Sequence, residues 1–278
     1  MIGGLLPLSI TINIDPILVQ LGPLAVRWYG LMYVVGIAVG MYVALPYARQ
    51  RGLDEEKIFE VFWWGAIAGL VGARLYYVVQ SDFGAYLAQP WRIFAFWEGG
   101  MAFYGAVVAA AIALAFACRR VNMSFWTLAD AAALLAAIGQ GFGRIGNIVN
   151  GDIVGYPTNL PWGVVYTNPR SFVADHTVAY QPAAFYELLF NIALFAILWS
   201  LRFRLRRPGL LFATWVILYS IGQFVLFFLR DNEIIFWGLK NAQLTALVML
   251  VAASLLWWWL SKRGEEEPVA DKSVLNNA

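Results

Sequence analysis

The sequence predicts an all-α polytopic membrane protein: about seven transmembrane helices and a small extracytoplasmic cap. Three observations carry this. First, 61% of the 278 residues are hydrophobic and only 13% are charged. Soluble domains hold roughly 45–50% apolar and about 25% charged residues. Second, the apolar residues fall into stretches near the ~20 residues that span a bilayer's hydrocarbon. Third, the basic residues between these stretches alternate in density.

The stretches are read as spans at 24–47, 58–79, 102–118, 125–145, 182–201, 210–229 and 243–260. Glycines and prolines inside them are compatible with membrane helices. The small-residue pairs Gly36/Gly40 and Gly65/Gly69 predict close helix packing. One set of loops carries Arg49, Arg51, Lys57, Arg119, Arg120, Arg202, Arg204, Arg206, Arg207, Lys262 and Arg263. The opposite set carries only Arg27, Arg92, Arg144, Arg170, Arg230 and Lys240. The positive-inside rule puts the first set in the cytoplasm, the N-terminus outside and the C-terminus inside. A multi-pass protein of a bacterial inner membrane is expected.

Residues 1–262 are read as one transmembrane domain, with the cap at about 146–181 and a disordered cytoplasmic tail at 263–278. The cap segment holds Pro157, Pro161 and Pro169. A second outer loop, 81–100, carries Phe83, Tyr86, Trp91, Phe94, Phe96 and Trp97, a composition suited to the headgroup plane. No basic region precedes the first apolar run, so no cleavable signal peptide is expected. No internal repeat of the kind many transporters carry is visible.

Composition also excludes functions. A net charge of +2 makes no case for nucleic acid. One cysteine, Cys118, rules out an internal disulfide or a cysteine metal cluster, and one histidine, His176, rules out a multi-histidine metal site. His176 reads as a loop surface residue and Cys118 as packing. No metal or cofactor is expected.

Charge inside a bilayer costs about 2.5–3.5 kcal/mol or more per group. Few charged residues lie near the spans: Arg74, Asp130, Arg144, Glu187 and Arg230. Arg144 and Arg230 fall at the outer ends of the fourth and sixth spans, and Glu187 about one turn into the fifth. Three helices thus bring ionised groups to one depth, where two guanidinium forks suit a lipid phosphate. A single arginine at a helix end is more often an interfacial snorkeller. The run GRIGNIVNGD at 143–152 shifts that balance. Its glycines and asparagines are poor helix formers, so the run is expected to leave the helix and offer N–H groups and carboxamides beside Arg144. Residues 141–146 also fit the dinucleotide pattern GxGxxG. No strand precedes it and no acid follows at the needed distance, so that reading is rejected. Tyr29 and Tyr104 open the first and third spans, where an aromatic belt is the plainer explanation.

The run at 143–152 resembles the signature of the prolipoprotein diacylglyceryl transferase family, Gly-Arg-x-Gly-Asn-x-x-Asn-Gly-Glu. Further likeness lies in LGPLAVRWYGLM at 21–32, GARL at 72–75, Asp130, Pro161-Trp162, Tyr186-Glu187 and Arg230. Together these cover roughly 15–260. The signature acid is Asp152 here, Tyr104-Gly105-Ala106 stands where His-Gly-Gly is frequent, and Gln181-Pro182 replaces His-Pro. Gln223 and Phe227 stand where the family usually has Arg and Glu.

The resemblance implies transfer of the diacylglyceryl group of phosphatidylglycerol to the lipobox cysteine of a prolipoprotein signal peptide, releasing glycerol-1-phosphate. It implies catalytic roles for Arg144, Arg230, Tyr104 and Asp152. Arg144, Asn147, Asn150, Tyr29, Gly155 and Glu187 would bind the phospholipid. Two other readings remain: an idle homologue that only binds lipid or signal peptide, and a small-anion transporter.

Overall fold

The computed structural model describes residues 9–22, 24–81, 83–95 and 99–263. The expected aromatics Phe96 and Trp97, and the tail from 264, lie outside these residues. The described residues are predominantly helical, and among them six helices are long and apolar enough to cross a membrane. They are α1 (Trp28–Gln50), α2 (Glu55–Gln80), α4 (Phe103–Arg120), α5 (Phe125–Asn150), α6 (Ala183–Leu201) and α8 (Asn241–Lys262). The seventh expected span, α7 (Leu210–Leu226), has 17 residues, about 26 Å at 1.5 Å per residue. The long apolar helices make this a multi-pass membrane protein.

Two boundaries differ from the sequence reading for a physical reason. Residues 24–27 do not begin a helix. They form β3 (Leu24–Arg27), which pairs antiparallel with β2 (Ile17–Leu21). Gly22 turns this hairpin at φ +57°. The run at 143–152 does not leave the helix either: α5 continues through Asn150. Its glycines serve contact instead. A Cβ on Gly146 would meet the Tyr29 backbone at 2.8 Å, and one on Gly143 the Tyr33 ring at 3.5 Å. Close approach of α1 thus offsets the poor propensity. The helix stops at Gly151, whose N–H still reaches Asn147 O at 2.9 Å and whose φ of +71° turns the following chain out of the helix. The GxGxxG match therefore lies wholly within a helix.

The described residues divide into two compact units. The first takes those of Met1–Tyr47 and Ala129–Val269, and so holds most of α1 and α5 with α6, α7 and α8. Here Gly36 and Gly40 pack against α5: added Cβ atoms would sit 2.9 Å from Phe142 Cβ and 3.0 Å from Leu135 Cγ. The cap beyond α5 is built on β4 (Val164–Tyr166), which pairs in parallel with β1 (Ile10–Ile12). Val164, Tyr166, Val173 and Tyr180 form its core, with Ile12, Val154 and Val178 against it. The Arg170 and Asp15 ion pair at 2.8 Å adds a second tie. His176 is half-buried rather than a plain surface residue, its Nδ1 2.9 Å from Tyr166 O.

Asp130, another charge in an apolar span, closes the opposite end of this unit. Its carboxylate is fully buried and accepts from Gly209 N and Phe212 N, both at 2.8 Å. A side chain of α5 thus caps the first turn of α7. Asp130→Ala leaves both N–H groups without that acceptor and is expected to cost about 1–3 kcal/mol. Thermal unfolding in detergent checks this as a lowered midpoint.

The second unit, Ala48–Leu128, contains α2, the short α3 (Phe83–Ala88), a 3-10 turn (Pro90–Phe94) and α4. Helices α2 and α4 touch backbone to backbone at Gly72 and Gly105: a Cβ on either would fall within 2.6 Å of the other's carbonyl oxygen. Arg74, 2% exposed, serves the loop between them. Its guanidinium donates to the carbonyls of Arg92, Ile93, Ala95, Gly99 and Gly100. A buried cation therefore holds the aromatic segment in place. Phe83, Leu87, Trp91 and Phe94 stay exposed, as an interfacial segment requires.

Candidate functional site

The site is assembled from α5, α6 and the segment after α7, all in the first unit. Arg144 sits on α5, less than two turns from its end. Its Nη2 lies 2.7 Å from Glu187 Oε2, and its Nη1 donates to Asn147 Oδ1 at 3.0 Å. Glu187, in the second turn of α6, is fully buried. Its other oxygen lies 3.4 Å from Arg230 Nη1. One carboxylate therefore holds two guanidiniums, in a place where an uncompensated charge would be very costly. Burial pulls the Arg230 guanidinium down from its ordinary value, and Glu187 opposes this.

The chain of contacts continues outward. Asn147, 2% exposed, passes its Nδ2 to both oxygens of Asp152 at 3.1 and 3.0 Å. Its amide is thus used as a bridge between Arg144 and the acid. Asp152 itself is exposed at the start of the cap. Tyr166 lies beneath it, its hydroxyl donating to Ile148 O at 3.0 Å. Burial, and then the Asp152 charge, push the Tyr166 phenol up, so it stays a donor. Asn150 is buried, its Oδ1 without a partner among the described residues. The Nε atoms of Arg144 and Arg230 are also buried and unpartnered there. Three unused polar atoms around one ion-paired cluster are what a polar ligand would satisfy.

Gly155 has a backbone reason. It pairs as an isolated bridge with Arg230, and its N–H bonds Gln181 O at 2.9 Å. A Cβ there would lie 2.3 Å from Leu229 O and 2.9 Å from Gln181 Cβ. The cap and the Arg230 segment can approach this closely only over a glycine. Gly155→Ala must push the Arg230 backbone away. A misplacement of about 1 Å near the chemistry lowers turnover roughly 100-fold. The expected result is that loss in a transfer assay, with the variant still monodisperse after purification.

Tyr29 opens α1, with its hydroxyl 3.1 Å from Tyr33's and the two rings edge to face. Tyr104 stands in the first turn of α4 in the second unit, about half exposed. Arg230 lies one turn beyond the end of α7, not within the helix. Sequence reasoning missed what surrounds it. Its guanidinium sits over the Phe227 ring at 4.4 Å, so the residue that replaces an acid still supports the cation, through its ring face. Lys240 is buried beside it, donating to the carbonyls of Phe227 and Arg230. The signal was a lysine amid apolar residues just before the last span.

A family model described as prolipoprotein diacylglyceryl transferase matches residues 16–259. A protein of Pseudomonas syringae pv. tomato is 37% identical over 95% of this chain and 98% of its own. One from Thermosynechococcus vestitus is 34% identical over 90% of this chain and 94% of its own. One from Pseudomonas savastanoi pv. phaseolicola is 38% identical over 94% and 98%. Each is a phosphatidylglycerol–prolipoprotein diacylglyceryl transferase by name. With the family model covering most of the chain and relatives up to 38% identical along nearly its whole length, the chain belongs to the prolipoprotein diacylglyceryl transferase family.

Proposed function

We infer that this chain moves the diacylglyceryl group of phosphatidylglycerol to the lipobox cysteine thiol of a prolipoprotein, the first step of bacterial lipoprotein maturation. The observation that carries the reading is the pair Arg144 and Arg230 held on the buried Glu187 carboxylate, their Nε atoms unpartnered among the described residues, in a chain similar to named transferases along nearly its whole length. The cysteine sulfur attacks the glyceryl carbon bonded to the phosphate ester oxygen. A carbon–sulfur bond forms, that carbon–oxygen bond breaks, and glycerol-1-phosphate departs. The thiol proton is lost to a base.

The leaving group gains one negative charge as a phosphodiester becomes a monoester. Two guanidiniums fixed beforehand stabilise that charge without reorganising. Glu187 holds both of them and is not free to act as a base. Asp152 is the exposed carboxylate joined to Arg144 through Asn147, and it accepts the proton. Asn150 and Tyr29 contact the headgroup, and Gly155 shapes its pocket. No metal or cofactor enters the scheme. The N-terminus is outside and the C-terminus cytoplasmic, with the cap and β1 on the outer side. Each of the seven apolar helices, α7 included, crosses the membrane.

The test is transfer in vitro with purified protein, phosphatidylglycerol and a lipobox peptide. Release of glycerol phosphate together with the peptide's mass gain is expected. Lipid binding without either would assign the chain to the idle homologues, with Gln181, Gln223 and Phe227 as the reason.

A further inference from the structure

We propose that Lys240 and Gln243 are positioning residues for Arg230: a buried clamp reaching from the start of α8 onto the end of α7. The inference rests on the transfer reading above. Four observations lead to it. Helix α7 ends at Leu226, and beyond it the chain is held by short turn bonds, the one from Arg230 N to Phe227 O stretched to 3.4 Å. Arg230 follows this end in irregular backbone, which by itself fixes no side chain to the tolerance a reacting phosphate needs.

Lys240 adds a side-chain donor to two carbonyls of this segment. It is 4% exposed, and its Nζ donates to Phe227 O at 2.7 Å and to Arg230 O. The same ammonium lies 4.9 Å from the centre of the Tyr156 ring, in the residue after Gly155. One cation therefore ties the carbonyl of Arg230, the carbonyl of the residue whose ring underlies its guanidinium, and the cap residue beside it.

Gln243 completes the clamp. It is fully buried, its Nε2 donates to Phe224 O at 3.0 Å, and its Oε1 accepts from Lys240 N at 3.0 Å. It thus grips α7 one turn earlier and fixes the lysine backbone as well. Both residues stand at the β6 (Leu239–Lys240) to α8 junction, which a hairpin with β5 (Ile234–Phe236) closes through positive-φ residues Trp237 and Gly238. Nothing in this arrangement touches the proposed lipid phosphate. Its effect is to hold Arg230 over Phe227 and against Glu187.

The experiment uses the full chain in nanodiscs containing phosphatidylglycerol, with a lipobox peptide as acceptor. Lys240→Met keeps the stem and removes the ammonium. Turnover per monodisperse protein is expected to fall roughly 10- to 100-fold, the scale of a misplacement near 1 Å. KM for phosphatidylglycerol is expected to stay within about threefold, the pattern of a contact felt mainly in the transition state. Lys240→Arg, which keeps a donor cation, is expected to recover most of the loss. Turnover of Lys240→Met within twofold of the parent overturns the proposal, as does a loss that the folded fraction alone explains. If Lys240→Met does not fold, Gln243→Leu carries the same expectations while leaving the charge in place. If the parent itself performs no transfer, the functional reading fails and hydrogen exchange decides the clamp. Amides of 227–232 then exchange faster in Lys240→Met than in the parent, and unchanged exchange there overturns it.

Discussion

Arg144→Ala is expected to abolish transfer while the protein still inserts and purifies as a monodisperse species. The arginine spends one terminal nitrogen on Glu187 and the other on Asn147, and its Nε remains buried and unused. Removing it deletes a fixed cation at the point where leaving-group charge grows. Loss of a single preorganised donor of this type costs about 10²–10³ in turnover. It also breaks the path that ties Asp152 to the cation cluster through Asn147. Arg144→Lys is not a conservative control. A lysine ammonium is a point charge and cannot hold the Glu187 carboxylate and the Asn147 carbonyl in one plane. It is expected to restore little. Assay of glycerol phosphate release, with size-exclusion profiles of each variant, checks both statements. Activity within tenfold of the parent in Arg144→Ala would remove this residue from the chemistry.

The placement of Arg144 shows what kind of information the sequence carries. That it belongs with Glu187 and Arg230 was legible, because charge in an apolar run is costly and therefore informative, and the three side chains do meet. The local backbone was not legible. Glycine and asparagine at 143–152 argued for a broken helix, yet α5 runs through Asn150 because Gly143 and Gly146 admit Tyr33 and Tyr29 of α1. Intrinsic propensity is a weak prior, and helix contact overrode it here. Similarly, Leu24–Arg27 is apolar enough to begin a span, but β-pairing with residues 17–21 uses it otherwise. The reason for Gly155 was hidden as well, since it lies in Leu229, far along the chain. Contacts between distant residues leave no periodicity to read. The cation-holding roles of Phe227 and Lys240 belong to the same class.

Glu187→Ala tests whether the two arginines form an anion site or merely a structural pair. In the parent, one buried carboxylate compensates both guanidiniums, whose side chains are 18% and 15% exposed. Deleting one partner of a buried pair costs about 3–5 kcal/mol, because the remaining charge stays desolvated. Here two cations lose that partner at once, although Arg144 keeps Asn147. A large drop in thermal midpoint is expected in a neutral detergent. The sign of the lipid effect is the informative part. A ligand that binds only the folded state stabilises it by about 2.7 kcal/mol at a hundred times its Kd. If the pair receives the lipid phosphate, the vacated carboxylate position strengthens the demand for an anion. Phosphatidylglycerol should then raise the midpoint of Glu187→Ala more than that of the parent, and phosphatidylcholine, whose phosphate is balanced by its own ammonium, should raise it less. Glu187→Gln keeps the volume and one acceptor, and is expected to fall between the two. Transfer should be lost in Glu187→Ala even when lipid restores the fold, because the guanidiniums are no longer held in register. Equal stabilisation of parent and variant by phosphatidylglycerol would place the headgroup elsewhere and leave the triad a structural one.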